Sequence, residues 1–148
     1  YFNCINICMD WIYNGQRFEP PEDFSPDKYY GFVYQITNRG NGKKYIGKKF
    51  FWKKKTLPPL KGKKRKRRSL VESDWRDYYG SSSNLNEDVQ NMGHDAFYRE
   101  ILYLGKAKGD LAYMEAKLQF DNEVLLRDDY YNGIIQIRIG GNSVKHLK

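Results

Sequence analysis

Twelve basic side chains crowd into one stretch: Lys48, Lys49, Lys53, Lys54, Lys55, Lys61, Lys63, Lys64, Arg65, Lys66, Arg67 and Arg68, with no acid among them. Cations packed this closely repel one another unless a polyanion neutralises them, and bound phosphates release condensed counterions. Nucleic acid is the partner this chemistry selects, and these cations are the expected contacts. Phe50, Phe51 and Trp52, at the head of the run, can stack on bases or anchor the segment to a core. Two plainer readings stand beside this one: a localisation-type basic run, and a solvated loop without a partner. Charge of this kind gives binding and no catalysis.

Outside that stretch the 148-residue chain carries 14 basic against 18 acidic residues, so its net charge of +8 is a local property. The length predicts one domain with one sizeable core, and 40% hydrophobic residues exclude a disordered basic tail. No run approaches the ~18 apolar residues of a membrane span. Cys4 and Cys8 are too few for a disulfide scaffold, and His94 and His146 lie too far off to complete a zinc site with them. Two reduced thiols in a reducing compartment are expected, and residues 1–8 lack the pattern of a secretory leader, which points to the cytoplasm. Gly105 to Gly109 lacks the spacing of a phosphate-binding P-loop.

The elements that must position any site follow from periodicity. Trp11-Ile12-Tyr13, Asn14-Gly15 and Gln16-Arg17-Phe18 predict a hairpin with a type I′ turn. Residues 19–27 read as a surface connector. Over 30–37 the pattern alternates, with Tyr30, Phe32, Tyr34 and Ile36 on one face, and turn residues 38–42 lead to an antiparallel strand over 43–50. The basic insert occupies about 48–68. A short helix is expected over 74–79, then a helix capped by Ser83 and closed by Gly93 with Leu85, Val89 and Met92 on one face. A strand is expected over 97–104. Asp110 is expected to cap the longest helix, over 111–126, with an apolar stripe of Leu111, Met114, Leu118 and Leu125. The β-branched run 134–139 reads as an edge strand. The sum is α+β, a small antiparallel sheet flanked by helices, with an N-terminal extension over 1–28 and a main domain over 29–148.

Phe32-Val33-Tyr34, followed eleven positions on by Tyr45-Ile46-Gly47 in the context Asn-Gly-Lys-Lys-Tyr-Ile-Gly, resembles the signature hairpin of the GIY-YIG nuclease family. The second triplet matches fully. In the first, Phe32 stands where the family carries Gly, and Gly31 lies one place earlier. A Trp-x-Tyr-x-Gly hairpin ahead of the signature and a Lys-rich insert behind it resemble phage-type members; on that likeness Met9 is the expected native start, and the host cytoplasm the expected location.

The resemblance implies a divalent-metal-dependent endonuclease acting on double-stranded DNA. Tyr34 and Tyr45 would converge on the scissile phosphate, orienting water and handling its proton. Glu115 would hold Mg²⁺ or Mn²⁺; its plainer reading is a helix-surface Glu near Lys117 and Gln119. A free Tyr is a poor base at pH 7, and the adjacent cations are the expected means of activating it. The family's charge-stabilising Arg has two candidates here, Lys49 and Arg76, with Arg67 and Arg68 behind them. Tyr78, Tyr79 or His94 could be a second proton-handling group. Asn132, near a family Asn, is expected to orient a backbone or a phosphate, or else to be a turn residue before Gly133. Two other function classes stay open: a catalytically silent nucleic-acid-binding module on the same scaffold, and a structural or interaction protein.

Overall fold

The computed structural model describes residues 10–148; Cys4, Cys8 and the expected start at Met9 lie outside the described residues. The first hairpin forms as predicted from β1 (Trp11–Tyr13) and β2 (Gln16–Arg17). Asn14 and Gly15 both take positive φ, 51° and 77°, as a type I′ turn demands. β3 (Gly31–Asn38) then pairs antiparallel with β4 (Lys44–Phe50), in a register running from Gly31 opposite Phe50 to Thr37 opposite Lys44.

Downstream, β7 (Phe97–Gly105) lies against the other side of β3, and β1 joins β7 in parallel. The result is a five-stranded sheet of order β2-β1-β7-β3-β4, with β4 at one edge. The architecture is α+β, as the patterning predicts.

Alternation along β3 feeds two cores. Phe32, Tyr34 and Ile36 point into an aromatic-rich cluster with Trp11, Phe51 and Trp75, covered by α1 (Ser83–Met92) through Leu85 and Val89. Val33 and Ile46 face the opposite way, onto α2 (Lys108–Asp121) through Leu111. Tyr30, expected with the first set, packs with the second, because it precedes the strand and its ring meets Phe50 at 5.3 Å.

Four local expectations change. Ser82, not Ser83, caps α1, its Oγ accepting from the Leu85 N–H at 3.3 Å. α2 begins at Lys108, with Asp110 inside its first turn accepting from the Lys106 and Ala107 N–H groups at 3.0 Å each. It ends at Asp121; Glu123 turns to positive φ just beyond, so Leu125 leaves the apolar stripe for solvent. The helix expected over 74–79 shrinks to a 3-10 turn, Trp75–Asp77. Its carbonyls are taken from outside: Trp11 Nε1 donates to the Trp75 carbonyl at 2.7 Å, and the buried Arg99 donates to those of Arg76 and Tyr78 at 3.0 and 2.9 Å.

Larger differences come at the insert and the C-terminal run. The basic insert is no plain loop: β5 (Trp52–Leu57) and β6 (Arg67–Glu72) form a separate two-stranded sheet. Residues 134–139 form no strand, because the free edge of β4 is already occupied. Lys44 bridges Tyr130, donating to the Asp129 carbonyl at 2.8 Å and accepting from the Tyr131 N–H at 2.7 Å, and the Asn132 side chain seats on Ile46.

Candidate active site

Register settles the facing of the two signature tyrosines. Tyr34 stands opposite Gly47, and Tyr45 is two residues from Gly47, so both project from the same face of the β3–β4 hairpin. Their ring centroids are 6.1 Å apart. Gly47 is required by this approach: a Cβ there would lie 2.6 Å from the Tyr34 hydroxyl and 2.9 Å from Tyr45 Cε1. Phe32, at the place of the family Gly, is fully buried between Trp11 and Phe51, at 4.8 and 5.0 Å. Its substitution enlarges the core and leaves the tyrosine face intact.

The segment between β6 and α1 closes over that face. Tyr78 sets its ring 6.0 Å from Tyr34, edge-on. Ser81 Oγ lies 2.8 Å from the Tyr45 hydroxyl. Lys49 is in register with Phe32 and shares the tyrosine face. Its Nζ sits 4.1 Å over the Tyr78 ring and 2.6 Å from Asp74 Oδ1, a cation held by an aromatic face and a carboxylate. That contact lowers the Asp74 carboxyl below its usual range.

Neighbouring Lys48 points the other way, and its Nζ donates to Glu115 Oε1 at 2.9 Å. Glu115 projects from α2 and is 13% exposed. Its charge adds a small upward push to both tyrosine hydroxyls.

Burial pushes the Tyr34 hydroxyl well above the ordinary tyrosine value, with Tyr78, Tyr45 and Glu115 adding to the rise. Tyr45 is also raised by burial, against the opposing hydrogen bond from Ser81. The expectation that nearby cations activate these hydroxyls is thus reversed in the free protein. The basic side chains of the insert reach into solvent, while Tyr34 is enclosed in the core and Tyr45 is half-buried at its edge. Both phenols are protonated at neutral pH and act as hydrogen-bond donors.

The other candidates scatter. Arg76 pairs with Glu72 at 3.0 Å and lies over the Trp75 ring, in a cavity lined with Asp10, Arg17 and Glu19, apart from the cleft that holds Lys49. Tyr79 packs in the core against His94, at 4.7 Å, and Arg99, at 4.2 Å. Asn132 is committed to backbone: its amide donates to the Ile46 carbonyl at 2.8 Å, and its Oδ1 accepts from the Ile46 N–H at 3.1 Å. Gln119 adds a second donor to that carbonyl at 2.9 Å. Together they stiffen the strand carrying Tyr45 and Gly47. Lys53, Lys54, Lys55, Lys61, Lys63, Lys64, Arg65, Lys66, Arg67 and Arg68 are all exposed on the β5–β6 hairpin and its tip.

Ser81, Asp74 and Arg99 touch or brace the candidate residues, and sequence reasoning leaves them out. Arg99 alone carried a signal, a cation at an inward position of a strand. Its guanidinium stacks on Trp11 at 4.6 Å and holds the Tyr78 backbone in place.

A divalent ion fits this chemistry in one way. Among the described residues no group of three or more His, Cys, Asp or Glu side chains could hold a metal. Glu115 is a single, mostly buried carboxylate whose side-chain partner is Lys48 at 2.9 Å, which suits a hard ion that keeps most of its shell as water and phosphate oxygen. No helix among the described residues is long and apolar enough to cross a membrane.

The family model described as "Putative endonuclease segE, GIY-YIG domain" matches residues 11–135. "Putative endonuclease segD" of Enterobacteria phage T4 is 33% identical over 116 residues, covering 78% of this chain and 42% of that protein. The chain therefore spans less than half the length of that relative. No solved structure matches. With its signature hairpin, paired tyrosines and matched domain, the chain belongs to the GIY-YIG nuclease family, as a phage-type member.

Proposed function

We propose that the chain is an endonuclease that hydrolyses phosphodiester bonds of double-stranded DNA with Mg²⁺ or Mn²⁺ held by Glu115, working in the host cytoplasm. The observation that carries this reading is the gathering of Tyr34, Tyr45 and Lys49 on one face of one hairpin, with the charge of Glu115 felt at both hydroxyls.

The chemistry needs an aligned water, somewhere for its proton to go, and positive charge on the phosphate. Tyr34 and Tyr45, both protonated, donate hydrogen bonds to the phosphate and orient the water, which gives its proton to solvent as it attacks phosphorus, while the departing oxygen takes a proton from solvent as the P–O bond breaks. Lys49 exchanges its contact with Asp74, which is 73% exposed, for a phosphoryl oxygen and stabilises the charge that develops there. Lys48 neutralises Glu115 until a cation takes its place. When bound, such an ion adds positive charge at the phosphoryl oxygens and makes water a stronger nucleophile near neutral pH. Arg76 and the exposed cations of the insert contact the DNA backbone. Cleavage of supercoiled plasmid in Mg²⁺ and in EDTA tests the reading. Nicked or linear product only with metal is expected; a plasmid bound but intact in both moves the silent binding module to the front.

A further inference from the structure

We infer that the β5–β6 hairpin is a ribbon that enters the major groove of B-form DNA, so the protein selects DNA duplex over RNA duplex and reaches well beyond the cut. This rests on the nucleic-acid part of the proposed function and is independent of its catalytic part.

The register gives the hairpin two faces, and both are cationic. Lys53 opposite Val71, Lys55 opposite Ser69 and Leu57 opposite Arg67 make one face; Lys54 opposite Leu70 and Thr56 opposite Arg68 make the other, with Trp52 opposite Glu72 at its anchored base, where Glu72 is paired with Arg76. A surface that lies flat on one phosphate backbone has use for cations on one face only. A ribbon with cations on both fits between two phosphate walls, and the major groove, ~12 Å wide, admits a two-stranded ribbon. A-form RNA has a deep, narrow major groove that refuses one.

At the far end, residues 58–66 carry Lys61, Lys63, Lys64, Arg65 and Lys66, all exposed. Arg67 Nε donates to the Pro58 carbonyl at 3.1 Å, which braces the base of this tip. The near end is firmly anchored. Ser73 donates through N and Oγ to the carbonyls of Phe51 and Phe50, at 2.7 and 2.6 Å, and Trp52 Nε1 donates to the Tyr29 carbonyl at 2.7 Å. Lys53 lines the same cleft as Lys49, so the ribbon begins beside the tyrosine face. Six strand residues at ~3.3 Å each carry the tip about 20 Å outward. At ~3.4 Å per base pair that is about six base pairs to one side of the scissile phosphate.

Fluorescence anisotropy in EDTA on the full chain tests this without any need for cleavage, using a DNA duplex of about 30 base pairs and the RNA duplex of the same sequence. We expect at least tenfold tighter binding to DNA, interference by guanine N7 methylation about six base pairs from the bound centre, and no displacement by netropsin, a minor-groove ligand. A variant with Lys61, Lys63, Lys64, Arg65 and Lys66 all changed to Gln should lose at least tenfold in DNA affinity, most of the DNA preference, and up to about 4 in the slope of log affinity against log salt. These side chains are solvent-exposed, and a thermal melt confirms the fold. Replacing residues 58–66 by Asn-Gly keeps both strands and removes the basic tip, and is expected to weaken DNA binding as the Gln variant does while leaving the interference position unchanged. Equal affinity for both duplexes, displacement by netropsin, or a Gln variant that binds as the parent does overturns the inference. Groove binding without metal-dependent cutting would sink the nuclease reading alone; cutting without groove preference would sink this one alone.

Discussion

Gly47→Ala is the sharpest perturbation of the tyrosine face, because one methyl group is the whole change. The added Cβ would meet the Tyr34 hydroxyl at 2.6 Å, and Tyr34 Cζ and Tyr45 Cε1 at 2.9 Å each. Ordinary carbon contacts begin near 3.5 Å, so the two rings must open by roughly 0.6 Å or more. Tyr34 is 1% exposed and walled in by Trp11 and Tyr78, at 5.3 and 6.0 Å, so it cannot yield freely. Overpacking of this kind costs about 1–3 kcal/mol, equivalent to a melting-temperature drop of roughly 3–12 °C for a domain of this size. The chemistry should suffer more than the fold: misplacing reacting groups by about 1 Å can cost ~100-fold in rate. The assay pairs a thermal melt with plasmid cleavage at a temperature where the variant is folded. Gly133→Ala, with no atom within 4 Å of its added Cβ, is the comparison and should match wild type in both. A Gly47→Ala protein that melts and cuts like the parent would refute the packing argument.

Other expectations follow from the same geometry. Lys48→Gln removes the cation 2.9 Å from Glu115 and frees that carboxylate for a divalent ion, so the Mg²⁺ concentration that half-saturates cleavage should fall several-fold; a rise would show Lys48 acting on the phosphate instead. Asp110 accepts from two backbone N–H groups and from Tyr103, and the sum of these bonds outweighs burial and lowers its carboxyl below the usual range. A depressed carboxylate stabilises the fold above its unfolded value, near pH 4, and that stability is lost as pH falls through the folded value. Asp110→Asn should cost about 1–2 kcal/mol at pH 7 and flatten the acid limb of a stability–pH curve measured by urea denaturation; an unchanged acid limb would contradict it.

How much of this was legible in the sequence depends on whether the signal was local. The hairpins at 11–17 and 31–50 carry their own turn chemistry and alternation, so their strands and facing are readable within a residue or two. The β5–β6 ribbon is hidden, because lysines and arginines occupy both faces and its few apolar residues, Leu57, Leu70 and Val71, do not share one. Residues 134–139 have the composition of a strand, but pairing is a matter of vacancy. Tyr130 and Asn132 take the β4 edge first, and nothing in a β-branched run reveals that. The site divides in the same way. Motif and position name Tyr34, Tyr45 and Glu115 as candidates. That Lys49 shares the tyrosine face while Arg76 is held by Glu72 needed register for the first and the ion pair for the second. Ser81, Asp74 and Arg99 act through contacts between distant segments, and their identities alone say nothing of them.

The central claim is that the tyrosine pair performs the chemistry while the basic ribbon holds the substrate. Tyr34→Phe tests it most directly, since it deletes one hydroxyl and leaves the ring and its packing in place. The account predicts an unchanged plasmid mobility shift and a melt close to wild type, with Mg²⁺-dependent cleavage down by at least ~100-fold. Cleavage at the wild-type rate by Tyr34→Phe would contradict it.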